Sequence, residues 1–381
     1  MAPLGLYIHV PFCSAICHYC DFNRGLLDEA EKRQYVEAVA ADIRGAPARL
    51  GWRPRDAAAD TIFFGGGTPS LLDSREVSAI LDACRGAFDV APGAEVTLEA
   101  NPESAAGPFL EAIRHAGVNR LSLGVQSFNP DELRRLGRIH DAPQARRAVA
   151  AARAAGFDNV SLDLIMWLPD QTVAQWMESV EEAIRLAPEH LSLYMLELYP
   201  NAPLRESMAR ASWSMAPDDD AAEMYEAAMA RLEAAGYRQY EISNVARPGR
   251  ESRHNLKYWT DGEWLGFGPG AHSTLAGSRW KNVCATGEYV ARVAAGQPLD
   301  TERRALSAEE RWQEALITGL RLEAGVSVGA MAAEYGVDLV ARFGPDLERF
   351  QAAGAMERDG ERLRLTRRGM LVANEMLRVF I

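Results

Sequence analysis

Residues Leu4–Phe22 read LGLYIHVPFCSAICHYCDF, a short apolar run that ends on Cys13, Cys17 and Cys20. Leu4 to His9 has the length and β-branched, aromatic content of a strand, and the cysteines follow it in the spacing CxxxCxxC. Three thiolates in so short a loop can wrap one four-iron four-sulfur cluster, and with only three protein ligands one iron stays open to an outside ligand. The competing reading is a structural zinc site that recruits His18 or His9 as a fourth ligand. Zinc sites more usually carry a second Cys/His pair about 12 to 20 residues downstream, and none follows here. Of the other two cysteines, Cys84 lies in a helical pattern and Cys284 in a loop. Both are expected to be inert small hydrophobes.

Outward from this stretch, strand-like runs at Thr61 to Phe64, Glu95 to Ala100, Arg120 to Gly124, Asn159 to Ile165 and His190 to Leu196 alternate with segments of 3.6-residue periodicity. Those segments are Glu31 to Ile43, Arg75 to Phe88, Phe109 to Ala116, Pro143 to Ala155 and Val173 to Leu186. Six strand-helix units predict an α/β chain with a parallel sheet, either open or curled into a barrel, and the pattern alone does not choose. After Tyr199 the rhythm changes to a helix from Asp219 to Ala235, a strand near Tyr240 and a Gly- and aromatic-rich stretch from Asn255 to Ser273. From Leu306 onward, short helices and a small β-wing at Arg362 to Thr366 resemble a winged helix. Three domains are expected, at 1–200, 201–298 and 299–381.

The chain has 381 residues, with 41 Lys+Arg against 53 Asp+Glu and a net charge of -12. A field of that sign disfavours nucleic acid as a partner. The tail, 301–381, carries 12 Arg and 13 Asp+Glu, a net of -1, which favours protein contact over DNA reading. No signal peptide and no apolar run of about 18 residues is present, and free thiols at ligand spacing suit a reducing compartment, so a soluble cytoplasmic protein is expected.

Polar residues recur where strands end. FFGGGTPS follows the second strand and supplies Gly65, Gly66, Gly67 and Thr68; Glu99 ends the third strand and Gln126 the fourth; Arg138 and His140 come soon after, and Asp163 interrupts the fifth. Each has a bland reading as a turn, a cap or a satisfied buried group. Together, at the C-terminal ends of successive parallel strands, they converge on one mouth. A further segment, HNLKYW, places His254 beside flat aromatic and glycine surface where an imidazole could ligate a haem iron, or where the segment could simply close the barrel mouth.

The cluster loop YIHVPFCSAICHYCDF resembles that of radical S-adenosylmethionine (SAM) proteins of the coproporphyrinogen dehydrogenase-like group. The resemblance covers nearly the whole chain. It implies a partial (β/α)6 barrel of TIM type with a winged-helix-like C-terminal domain, a 4Fe-4S cluster on Cys13, Cys17 and Cys20, and SAM chelating the open iron and split by one electron. The SAM positions it carries over are Tyr7, Tyr19, Gly66, Gly67, Thr68, Glu99, Gln126, Arg138 and Asp163. Two features place the chain nearer the haem-chaperone branch: Phe22 stands where the dehydrogenases have a further cysteine, and the chain begins almost directly at the first strand. HNxxYW, intact as His254, Asn255, Tyr258 and Trp259, resembles that branch's haem motif, which gives His254 to haem. The implied role is delivery of haem, as cargo, to an apo-haemoprotein acceptor, with an unknown electron donor and room for peripheral contact with membrane haemoproteins. Coproporphyrinogen dehydrogenase activity is not expected. The alternatives are a radical SAM oxidoreductase or methyltransferase acting on a porphyrin or other small substrate, and a zinc-bound interaction protein. Two positions depart from the family pattern: Trp167 replaces the usual Gly before Leu-Pro, which predicts a narrowed pocket or a repacked barrel floor, and Tyr199 replaces the usual Glu after the sixth strand.

Overall fold

The computed structural model describes residues 2–200 and 202–381. Strand and helix alternate as β1 (Leu4–Val10), α1 (Glu29–Arg49), β2 (Ala58–Gly66), α2 (Ser74–Ala87), β3 (Asp89–Ala100), α3 (Gly107–Ala116), β4 (Arg120–Gln126), α4 (Ala142–Ala154), β5 (Val160–Met166), α5 (Val173–Leu186) and β6 (His190–Met195). The helices start where their caps say. Asp73, Asp141 and Thr172 each accept from the backbone three residues on, while Glu76, Gln144 and Gln175 reach back to the cap. Helix α3 stops at Gly117, whose φ of 114° only glycine adopts freely.

Strands β1 to β6 pair in sequence order, all parallel. Their residues obey a period of two. Leu6, Ile8, Ile62, Phe64, Leu98, Leu121, Leu123, Leu162 and Leu164 are buried in the apolar core. The alternate set, Tyr7, Phe63, Glu99, Arg120, Ser122, Asp163, Ser192 and Tyr194, lines a common cavity. Since residues from the first and sixth strands face one lumen, the sheet is curled, and the choice that the sequence left open resolves to a partial barrel.

The remaining chain extends this sheet at both ends. Helix α6 (Asp218–Ala234) leads to β7 (Arg238–Glu241) and β8 (Asn244–Ala246), which add antiparallel beyond β6. Helix α7 (Arg253–Trp259) follows, and β9 (Trp264–Phe267) lies parallel to β1 on its free side. Strands β10 (His272–Leu275) and β11 (Ser278–Asn282), helix α8 (Thr286–Ala294) and strand β12 (Asp300–Ala305) complete that edge. The twelve strands run β12-β11-β10-β9-β1-β2-β3-β4-β5-β6-β8-β7, a linear order. The Gly- and aromatic-rich stretch therefore contributes a helix and strands, where the sequence offered only an irregular segment. Its glycines hid the pairing: Gly266 sits where an added Cβ would lie 2.3 Å from the His272 carbonyl, so a strand former could not stand there.

In the tail, helices α9 (Ala308–Gly319), α10 (Val328–Tyr335) and α11 (Leu339–Ala352) pack with a three-stranded sheet made by Val326–Ser327, Met356–Asp359 and Arg362–Leu365. Several contacts fasten it to the barrel. The Arg321 guanidinium lies 4.6 Å from the ring centre of Trp259 and 3.3 Å from the Glu241 carboxylate, and the Tyr335 hydroxyl donates to Asp261. Burial pushes the Glu241 carboxyl up and Arg321 draws it back. Among the described residues no helix is long and apolar enough to cross a membrane. Arg321→Ala leaves Glu241 buried without its cation, and we expect a loss of about 2–4 kcal/mol, read in a denaturant melt as an earlier loss of tail helix signal while the barrel transition moves less.

Candidate cluster and SAM site

Strand β1 ends at Val10, and the loop behind it carries the three cysteines, all free thiols. The loop is held partly by itself, Phe12–Cys13 pairing with Gly25–Leu26, and partly by neighbouring elements. The Gly67 amide donates to the Val10 carbonyl at 2.7 Å, the Leu27 amide to Cys13 at 3.0 Å and the His18 amide to Leu136 at 3.0 Å. From the other side, the Asn23 amide group donates to the carbonyls of Pro269 and Cys284 at 3.0 and 2.9 Å. His9 spends both ring nitrogens, one 3.1 Å from the Tyr7 hydroxyl and one 2.7 Å from the Asn23 carbonyl, and is not free to be a fourth metal ligand. Among the described residues no group of three or more His, Cys, Asp and Glu side chains converges on one metal ion. A cube makes no such demand, because each thiolate meets its own iron.

A continuous series of hydrogen bonds joins two of the thiols across the barrel mouth. The Thr68 hydroxyl donates to Cys13 Sγ at 3.6 Å, and the Asn101 amide donates to Thr68 at 3.2 Å. Arg138 reaches the Asn101 carbonyl oxygen at 2.5 Å and Cys17 Sγ at 3.2 Å. Arg138 is also fixed by the Gly124 carbonyl at 2.9 Å, and Arg24 donates to the carbonyl of Cys20. Burial pushes the Cys13 and Cys20 thiols up, so a metal that takes them as thiolates releases protons.

The loop roofs a chamber of about 390 Å³ whose walls include Cys13, Cys17, Cys20, Tyr19, Gly66, Gly67, Thr68, Glu99, Gln126, Arg138 and Asp163. Every SAM position expected from the sequence is here except Tyr7. That residue stands one layer deeper, its ring 6.2 Å from Phe63 and 6.4 Å from His254, and lines the second cavity below. The residues fit a polar, charged ligand: Gln126 Oε1, Arg138 Nε and Arg24 Nε are buried without partners among the described residues, and all belong to the chamber wall. Gly67 seats the cluster loop over the chamber, since a Cβ there would stand 2.6 Å from the Phe12 carbonyl and 2.9 Å from that of Val10. Gln126 holds φ 66°, a conformation kept only where the surroundings impose it.

Glu99 and Asp163 face each other as a carboxyl pair. Burial and then the Asp163 charge push Glu99 up to about 8, against the pull of the Gly66 amide at 3.2 Å. Burial also raises Asp163, opposed by Ser192, Arg120 and the Ser122 hydroxyl, the last at 3.2 and 3.3 Å from its oxygens. A cationic ligand would favour the ionised pair.

His254 lies at the other end of the lumen. Helix α7 closes the floor of the barrel, not its mouth, and His254 is 1% exposed. Its Nδ1 is 2.8 Å from the Thr61 hydroxyl, its Nε2 is 2.9 Å from the Tyr258 hydroxyl, and its backbone amide donates to Glu95 at 3.0 Å. Burial pushes the imidazole down to about 3, with Lys257 and Arg120 acting in the same sense. Both nitrogens are occupied, so the assignment of His254 to a haem iron does not fit this arrangement.

Other expectations meet mixed outcomes. Trp167 stands at φ 60°, where glycine would be unstrained, yet its indole turns away and donates to the Ala216 carbonyl at 2.9 Å, outside both chamber walls. It neither narrows the pocket nor repacks the floor. Tyr199 is at the rim, donating to Glu197 at 2.7 Å. Cys84 is buried, its thiol pushed up to about 12, whereas Cys284 is exposed because it sits in a surface loop. Asn101 and Arg24 went unpicked, though Asn101 lies two residues past Glu99 in LEANPE, the spacing that returns a strand-end residue to the same mouth.

Residues 7–183 match the family model described as Radical SAM superfamily, and 306–372 the model described as HemN C-terminal domain. A Bacillus subtilis protein named "Heme chaperone HemW" is 36% identical over 376 residues, 98% of this chain and 98% of its own length. The Escherichia coli protein of the same name is 35% identical over 385 residues, 100% of this chain and 99% of that one. The bovine mitochondrial radical S-adenosyl methionine domain-containing protein 1 is 39% identical over 344 residues, 84% of this chain and 74% of its own. Among solved structures, coproporphyrinogen III oxidase (HemN) from Escherichia coli superposes with a TM-score of 0.86 over 99% of this chain and 90% of that one. At 23% identity this shows a shared fold.

Glu99 keeps its proton in the fold at pH values where the unfolded carboxyl has lost it, so the native state is destabilised as pH rises from about 4.5 through about 8. Glu99→Gln is therefore expected to melt at least about 3 °C above the parent at pH 9 with no ligand present, the gain vanishing toward pH 4.5. Equal melting at pH 9 would remove the buried-carboxyl account. Gly67→Ala should fold but lose most of the iron retained by the parent after anaerobic reconstitution, because the Cβ pushes the cluster loop off its seat.

Proposed function

The chain belongs to the radical SAM superfamily, within the haem chaperone HemW family, and on that footing we propose that it holds a 4Fe-4S cluster and SAM in the upper chamber, binds haem as cargo and hands it to apo-haemoproteins. The observation that carries this reading is that the thiols, the SAM row and an exposed apolar rim share one chamber. Phe22, Met195 and Tyr199 are 62%, 42% and 37% exposed, and all three belong to the chamber wall. Large apolar side chains left in water around a cavity mark a docking site for an apolar partner, and a porphyrin face is one.

In this proposal Cys13, Cys17 and Cys20 ligate the cluster, which leaves one iron for SAM. Bound there, SAM supplies one-electron cleavage chemistry. The residues of this chain bind, orient and exclude. The Nε of Arg138, which has no partner among the described residues, suits a carboxylate, the paired Glu99 and Asp163 suit an ammonium or ribose hydroxyls, and Gly66, Gly67, Gln126 and Tyr19 finish the wall. Arg138, already bonded to Cys17 and Asn101, ties the ligand's position to the cluster's. His254 is left out of the haem assignment, since both its nitrogens are bonded inside the floor. The Phe22 position favours the chaperone over the dehydrogenase, as it leaves three cysteines in the loop. A cytoplasmic workplace follows from free thiols that must stay reduced to take iron.

After anaerobic reconstitution the protein should carry about four irons per chain, and its visible spectrum should change on adding SAM. Titrated haem should give a stable Soret band, while coproporphyrinogen added with SAM and a reductant is left unconverted. Vinyl-group formation would replace the chaperone reading with the oxidoreductase one, and a cluster spectrum untouched by SAM would end the open-iron argument. Cys17→Ala should drop iron to about one per chain or less.

A further inference from the structure

Below the carboxyl pair lies a second chamber of about 280 Å³, walled by Tyr7, Phe63, Arg120, Ser122, Ser192, His254, Asn255 and Tyr258. It shares Glu99, Asp163 and Tyr194 with the upper chamber, so the two cavities adjoin. Arg120 is only 2% exposed, and its Nε is enclosed without a partner. Its charge draws both Glu99 and Asp163 toward the ionised form, yet neither carboxylate meets it in an ion pair among the described residues. A cation enclosed with no anion in direct contact is unfavourable.

We propose that the lower chamber is a carboxylate site with Arg120 as its anchor. The guanidinium fork is the side chain that matches a carboxylate in two parallel hydrogen bonds. Glu99 and Asp163 in the same wall oppose an anion, Glu99 least while it keeps its proton, and other wall residues suit the guest. The Asn255 amide makes no hydrogen bond within the protein among the described residues, and Tyr258 brings a second donor whose position is fixed by His254 at 2.9 Å. Tyr7 and Phe63, stacked with centroids 6.2 Å apart, give an apolar side for the carbon attached to the carboxylate. The volume exceeds one water's share of about 30 Å³ several-fold, so a short carboxylic acid or a carboxylate arm fits. The HNxxYW segment then serves through His254, Asn255 and Tyr258 as the floor of this site, with no bond to iron. Two sources offer the chemistry: a free small acid, or a propionate arm of haem, the latter resting on the haem reading above.

Full-length protein is melted at constant ionic strength in chloride, in propionate at about 20 mM and in neutral propionamide at the same concentration. Propionate should raise the midpoint by about 3 °C or more over chloride, and propionamide should not. Arg120→Gln should abolish the shift while remaining folded by circular dichroism, and the wild-type comparison stands even if that variant fails to fold. The sources separate by titrating haem and haem dimethyl ester: an ester about tenfold weaker in the wild type but equal to haem in Arg120→Gln identifies the arm, and equal binding in the wild type identifies the free acid. Propionate behaving like chloride or propionamide, with haem and ester alike, would overturn the proposal and leave water as the chamber's content. Failure of both haem and ester to bind would instead count against the haem reading, and the propionate melt alone would then judge the chamber.

Discussion

Everything in the upper chamber depends on holding soft thiols still at the end of a strand. Cys13 and Cys17 are joined through Thr68, Asn101 and Arg138. Those three residues follow β2, β3 and β4, so the loop after β1 is clamped by the ends of three other strands. Only strands that run parallel, in sequence order, bring those ends side by side. The sheet topology is thus a requirement of the thiol geometry, and the apolar alternate faces of the strands are what stabilise that topology.

The lumen is layered by the same period of two. Aliphatic residues take the face toward the helices and polar ones the face toward the axis, so charge accumulates where water is scarce. The fold manages this with the Ser122 and Ser192 hydroxyls on Asp163, the Gly66 amide on Glu99 and neutral imidazoles at His9 and His254. Burial raises both carboxyls, and the Asp163 charge adds to the push on Glu99. Arg120 is the member of the layer that makes no direct ion pair among the described residues.

Much of this was legible in the sequence, for identifiable reasons. The six strands and five helices declared themselves by period. The cluster loop declared itself by spacing, and Glu99, Gln126 and Asp163 by interrupting apolar runs at strand ends. What stayed hidden was long-range. Strand β9 pairs with β1 across more than half the chain, and its glycine-rich sequence looks irregular because Gly266 is needed for close approach to β10. His254 looked like a ligand because a histidine among aromatics carries no mark of which end of a barrel it occupies. Arg120 opens a strand, where an arginine usually means surface, and only the curl of the sheet turns it inward. Tyr7 was placed by resemblance one layer too high, although β1 itself was read correctly.

The linear order of the twelve strands has a price outside the site. A sheet that does not close has two edges, here β12 and β7, and free amides and carbonyls at an edge are a template for any passing strand; the β7 edge is partly covered, since Glu241 bridges Leu322 and the Glu323 amide donates to the Tyr240 carbonyl at 3.0 Å. Here both edges are poor templates. Strand β12, DTERRA, presents Asp300, Glu302, Arg303 and Arg304 and bends at Glu302 with φ 55°. The other edge is a four-residue strand that starts on exposed Arg238 and shifts register against its neighbour. A guest strand would have to bury charges of both signs and follow a kink, so the molecule can keep an unclosed barrel in a crowded cell without offering it as a seed for aggregation.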